Sequence, residues 1–127
     1  MHSIDFTADD LLGGWIYYMD VHETDMNRVI LTVGDPYHDY ISTSTADNNL
    51  FMVNLSTGVK TKINIPYNQT RACKYVGDRI FVGHSRGVAE YHPISETWND
   101  VSPDSFPNVV VYDMVYDSVA EKLVVST

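Results

Sequence analysis

Six side chains stand out as a set able to grip a ligand: Tyr37, His38, Asp39, Tyr67, His84 and Arg86. They fall in short segments of turn-forming residues, DPYHDY (35–40), PYNQT (66–70) and HSRG (84–87), with PDSFP (103–107) a fourth segment of the same kind. Rings stack on the apolar faces of sugars or peptide side chains, while Arg and Asp fix polar groups, so these residues are the expected ligand face for a glycan or a protein. The competing account is ordinary turn chemistry, which uses the same residue types to close loops.

Other chemistries find less support. His38 with Asp35 and Asp39, or Asp47 with Asn48 and Asn49, would be the only metal clusters, and loop solvation explains both. No C-x-x-C or H-E-x-x-H spacing occurs, and the second run lacks the glycine and terminal Glu of a calcium loop. No phosphate loop, dinucleotide fingerprint or G-x-S-x-G is present, so no cofactor is called for. Four arginines, Arg28, Arg71, Arg79 and Arg86, are few for a site that converges on an acid, and two of them recur as strand-starting positions. Such recurrence marks scaffolding, so no catalytic residue is assigned. The sequons at Asn54 and Asn68 matter only in a secreted protein. Cys73, the one cysteine, lies in an apolar run and reads as a buried small hydrophobe; it forbids an internal disulfide.

The bulk properties bound the partners. The 127 residues fit one domain, and a hydrophobic content of 44% with nine Tyr, four Phe and two Trp supports a packed core. A net charge of -9 repels phosphate backbones and anionic lipid, so neither nucleic acid nor a membrane surface is the expected partner. No apolar run approaches the ~18 residues of a membrane span. The start MHSIDFTADD has no basic or apolar leader region, and a leader already removed would leave no trace, so the compartment stays open, extracellular included.

The elements that must position these residues are strands. No stretch keeps the 3.6-residue apolar period, whereas ten runs of Val, Ile, Tyr, Phe and Thr alternate with turn clusters: 15–21, 28–33, 50–55, 60–65, 72–76, 79–82, 88–91, 97–101, 109–116 and 123–126. Short links predict antiparallel neighbours, and the linkers named above then gather at one end of the strands.

The chain also repeats itself. YMDVHETDMNRVILTV (18–33) aligns with YDMVYDSVAEKLVVST (112–127) at an offset of 94, each copy a strand, an acidic turn and a strand. LFMVNLSTGVK (50–60) aligns with VAEYHPISETW (88–98) at an offset of 38, and KYVGDRIFV is a shorter version of the first hairpin. Arg28, Arg79 and Lys122 therefore open equivalent strands, at intervals of 51 and 43 residues. The first interval shrinks toward the ~40 residues of a four-stranded propeller blade once an insertion over 34–46 is removed. That insertion is expected to carry part of the ligand face, with an extra strand over 40–45. The consecutive apolar runs RVILTV, RIFV and KLVV are expected to be the most buried strands of their sheets.

RIFVGHSRGVAEYHPISETWNDVS (79–102) resembles the blades of the β-propeller class that includes sialidase-like Asp-box, Kelch and YVTN/WD40-like proteins, with Thr97-Trp98 matching the close of an Asp-box. The resemblance implies an all-β fold of antiparallel four-stranded blades in a partial propeller: blade one over 15–66, blade two over 71–103 and a half blade over 109–127. A ten-strand sandwich is the alternative. It further implies a non-enzymatic binding or scaffolding module, or else a fragment of a sialidase-like glycoside hydrolase. A ring of four ~40-residue blades exceeds this chain, so other blades of a longer chain, or a homo-oligomer, are the expected partners.

Overall fold

The structure is a computed structural model, and it describes residues 5–6, 15–34, 48–107 and 109–127. These hold ten strands and no helix: β1 (Trp15–Val21), β2 (Arg28–Gly34), β3 (Asn49–Asn54), β4 (Val59–Asn64), β5 (Ala72–Val76), β6 (Arg79–His84), β7 (Gly87–His92), β8 (Thr97–Asp100), β9 (Asp113–Asp117) and β10 (Lys122–Ser126). All pairing is antiparallel between chain neighbours, giving one sheet of β1–β4, a second of β5–β8, and a two-stranded third of β9 and β10. Among the described residues the ten strands thus form three sheets, where a sandwich has two.

Alternation of side chains along each strand decides what packs where. Ile30 and Leu50 of the first sheet meet Cys73, Tyr75, Ile80, Val82 and Tyr91 of the second. The opposite face of the first sheet, Val29, Leu31, Val33, Phe51 and Val53, packs with Phe6. Phe81, Ala72 and Val88 look the other way, toward Met114, Leu123 and Val125 of the third sheet and Val111. The second sheet is therefore covered on both faces, which is why RIFV is apolar at consecutive positions.

The sheets adjoin along their first strands, β1 beside β5 and β5 beside β9. Asp20 of β1 accepts the Tyr75 N–H at 2.7 Å and pairs with Lys74 at 3.4 Å. The Tyr18 hydroxyl donates to Asp113 at the start of β9, and that bond, with some burial, pushes the Tyr18 phenol up to about 12. At the turn end, Arg28 and His22 share one oxygen of Asp78, at 2.7 and 2.9 Å, so β2 is tied to the β5–β6 turn. The equivalent Arg79 instead grips Glu90 of its own sheet through two bonds of 2.8 and 2.9 Å, holding that carboxyl below its ordinary range.

The repeat equivalences coincide with the register. Val29 pairs with Val53 and Ile80 with Tyr91, as an offset of 38 between β3 and β7 requires. Two expectations need correction. The run 109–116 pairs only from Asp113, because the Val111 N–H is already donated to the His84 carbonyl and its side chain plugs the space over Gly83. β2 and β6 are buried as expected, but β10 is not: Val124 is 51% exposed, since nothing among the described residues lies on its outer face. The insertion over 34–46 falls, apart from Gly34, outside the described residues.

Candidate functional site

One end of the strands collects the β4–β5 link, the β6–β7 turn and the β8–β9 link. Its geometry begins with Asn48, buried just before β3. The Asn48 side-chain amide donates to the Tyr67 carbonyl at 3.0 Å, and the Asn48 backbone carbonyl accepts the Ile65 N–H and the Asn64 side-chain amide. This fixes the link that carries Tyr67. Across from it, Ser85 N–H donates to the Asn68 carbonyl at 3.0 Å and Arg71 N–H to the Gly83 carbonyl at 3.1 Å, so link and turn are sewn together by backbone.

Tyr67 and His84 are brought face to face, with ring centroids 4.2 Å apart and planes 15° off parallel. Tyr67 also meets Trp98 edge-on at 6.2 Å, and Trp98 in turn leans on Tyr91. Arg86 is exposed on the same turn, and its N–H donates to His84 Nδ1 at 3.2 Å. That bond leaves the proton on Nε2, which is buried with no hydrogen-bond partner among the described residues. Burial pushes the His84 pKa below the ordinary histidine range and Arg86 adds to this, while Asp100 opposes it. The ring is therefore neutral near pH 7. Burial, with the charge of Asp100 behind it, raises the Tyr67 phenol.

The turn is tight because Gly87 adopts φ +138°, a conformation L side chains rarely take, and a Cβ there would fall 1.9 Å from Ser102 Oγ. Ser102 uses that closeness: its hydroxyl accepts the Val88 N–H at 2.7 Å and so binds the β8–β9 link to the turn.

Of the six residues singled out from sequence, Tyr67, His84 and Arg86 come together here. Tyr37, His38 and Asp39 lie outside the described residues. Sequence reasoning did not place Asp100 at this end, and it assigned Asn48 to an oxygen-donor cluster, Trp98 to a motif match and Arg71 to no site, although the Arg71 guanidinium lies 4.0 Å from the Tyr17 ring centroid. The only signal for Asp100, and for Asn48 as a brace, was closeness to a strand end, which is common to many solvated residues. Asn48 and Asn49 are buried at 1% and 2%, so neither is an exposed oxygen donor, and Asn48 instead braces the Tyr67 carbonyl; Asp47 lies outside the described residues. Among the described residues no group of three or more His, Cys, Asp or Glu could hold a metal ion. Cys73 is fully buried, its thiol directed at the Tyr18 and Ile30 carbonyls at 3.9 and 3.8 Å, and burial raises its pKa.

Chemically the end can stack through Tyr67 and attract anionic groups to Arg86. Compared with known proteins, the chain matches no family model and no curated protein.

Proposed function

We propose that the chain is a non-enzymatic binding or scaffolding module, a segment of a β-propeller that contacts a glycan or a protein through this loop end. The observation that carries the reading is the Tyr67–His84 stack beside the exposed Arg86. The propeller part is supported by the four-stranded meanders stacked face to face and by β1, β5 and β9 lying side by side, as innermost strands of successive blades do.

Glycan-array screening, followed by titration of the best glycan, tests it. Tyr67→Ala and Arg86→Ala should each weaken binding by about tenfold, as anchors in a small contact do, with no turnover of the bound glycan. Binding indifferent to both substitutions would refute the assignment. Silence on the array, with capture of a protein ligand lost in Tyr67→Ala, would select the protein form of the proposal.

A further inference from the structure

Equivalent arginines are spent differently in the two four-stranded sheets. Arg79 grips Glu90 of its own sheet side-on, through Nε at 2.8 Å and Nη2 at 2.9 Å. The register makes Met52 the counterpart of Glu90: Met52 pairs with Ile30 as Glu90 pairs with Phe81, and Arg28 and Arg79 each stand two residues before that partner. The first sheet therefore has a thioether where the second has a carboxylate. Arg28 gives only Nη1 to an acid, Asp78 at 2.7 Å, and its Nε and Nη2 edge grips no carboxylate.

Met52 and Arg28 line a cleft of about 260 Å³ at the turn end of the strands, together with Asp25, Asn54, Thr61 and Tyr75. The cleft is walled by β2, β3 and β4 on one side and by β5 of the next sheet on the other, with the Arg28 guanidinium lying over the Tyr75 ring at 5.5 Å. Asp25 is fixed in the β1–β2 turn by the Asn27 N–H, donated to its carboxylate at 3.1 Å, and it makes no ion pair among the described residues. One cleft thus holds an unspent guanidinium edge and an unpaired carboxylate that do not reach each other.

We infer that this cleft, separate from the loop end, binds a free α-amino acid, with the ligand carboxylate on the Nε and Nη2 edge of Arg28 and the ammonium on Asp25. The planar fork of a guanidinium suits a carboxylate taken side-on, and Arg79 with Glu90 displays that arrangement at the equivalent position. Charge selects the zwitterion. A simple carboxylate would set its charge against Asp25 in a chain of net charge -9, and a simple amine would meet the Arg28 cation, whereas an amino acid answers both. The volume lies below the ~300–1,000 Å³ of drug-sized sites, so the ligand is small. Met52 and Val59 offer apolar surface to an aliphatic side chain.

The probe is L-leucine, titrated into the isotope-labelled full chain and followed by amide chemical shifts. Saturable shifts centred on Asp25, Arg28 and Thr61 are expected, with a Kd on the order of 1 mM, the range open to a ligand of so few atoms. Leucinamide, which lacks the carboxylate, and N-acetylleucine, which lacks the ammonium, should each bind about tenfold or more weakly. Asp25 is exposed, so Asp25→Asn is expected to fold, and it should weaken L-leucine about two- to fivefold. Met52→Glu gives Arg28 the own-sheet carboxylate that Arg79 has and should abolish binding, with circular dichroism checking that the variant folds. The proposal is overturned if the folded chain shows no saturable shift at the cleft, or if leucinamide or N-acetylleucine binds as tightly as L-leucine. Undiminished binding to Asp25→Asn, or to a folded Met52→Glu chain, overturns it equally.

Discussion

The strand β6 and the strand β10 are near copies in sequence, RIFV against KLVV, yet one is among the most enclosed strands of the fold and the other lies half open. Phe81 is 7% exposed and its counterpart Val124 is 51%. Both have an apolar character suited to a strand buried on two faces. What differs is the company: β6 has a sheet on each side and a strand on each edge, whereas β10 has the second sheet beneath it and β9 beside it. Apolar patterning thus specifies a capacity for burial, and neighbours determine how much of it is realised.

The largest test of this contrast is truncation at the matched pair. Phe81→Ala should cost about 3 to 5 kcal/mol in urea unfolding, while Val124→Ala should stay within about 1 kcal/mol. Equal losses would mean that β10 is covered in solution and would erase the difference. A smaller effect is expected at the next matched pair, Gly83 and Ser126. A Cβ on Gly83 would stand 2.7 Å from Val111 Cγ1 and 3.1 Å from the Val111 carbonyl oxygen, so Gly83→Ala should destabilise by about 1 to 3 kcal/mol, against nearly nothing for Ser126→Ala. A neutral Gly83→Ala would show that the Val109–Tyr112 segment yields easily and is not the plug described above.

The smallest expected effect concerns pH. His84 is buried and its folded pKa lies below the unfolded one, so protons bind the unfolded chain more readily as pH falls through the ordinary histidine range. Stability should be fully present above the unfolded value, decline as pH drops through that range toward the folded pKa, and then level with respect to this group. His84→Phe should flatten that part of the profile. An unchanged slope in the variant would assign the titration elsewhere, and would weaken the account of the neutral ring at the loop end.

How far all this was legible in the sequence depended on whether the signal was local. Strand positions came from β-branched and aromatic runs between turns, and Gly58, Gly77 and Gly87 all take the positive φ their turns need. The equivalences of Arg28 with Arg79 and of Val53 with Tyr91 were legible because pairing register preserves spacing. The site was legible only in part. Tyr67 and His84 announced themselves by type, but their stacking depends on Asn48 reaching across 19 residues to hold the Tyr67 carbonyl, a contact without local pattern. The start of β9 was misplaced for a similar reason. Val109 to Tyr112 has strand character, but the Val111 N–H is donated to the His84 carbonyl and the Val109 N–H to Pro107, and only from Tyr112 does the backbone turn to β10. Nor could an apolar run such as KLVV disclose that its outer face has no neighbour among the described residues.

The burial of Cys73 gives this fold a built-in clock. It is the only thiol in the chain, and it points at carbonyls of β1 and β2 from within the layer between the first two sheets. A modifying reagent reaches that sulfur only when the layer opens, so the rate of alkylation under native conditions reports how often the sheets part. Because the third sheet packs on the opposite face of the second, the same rate measured in Gly83→Ala reads whether loosening one side of the stack loosens the other.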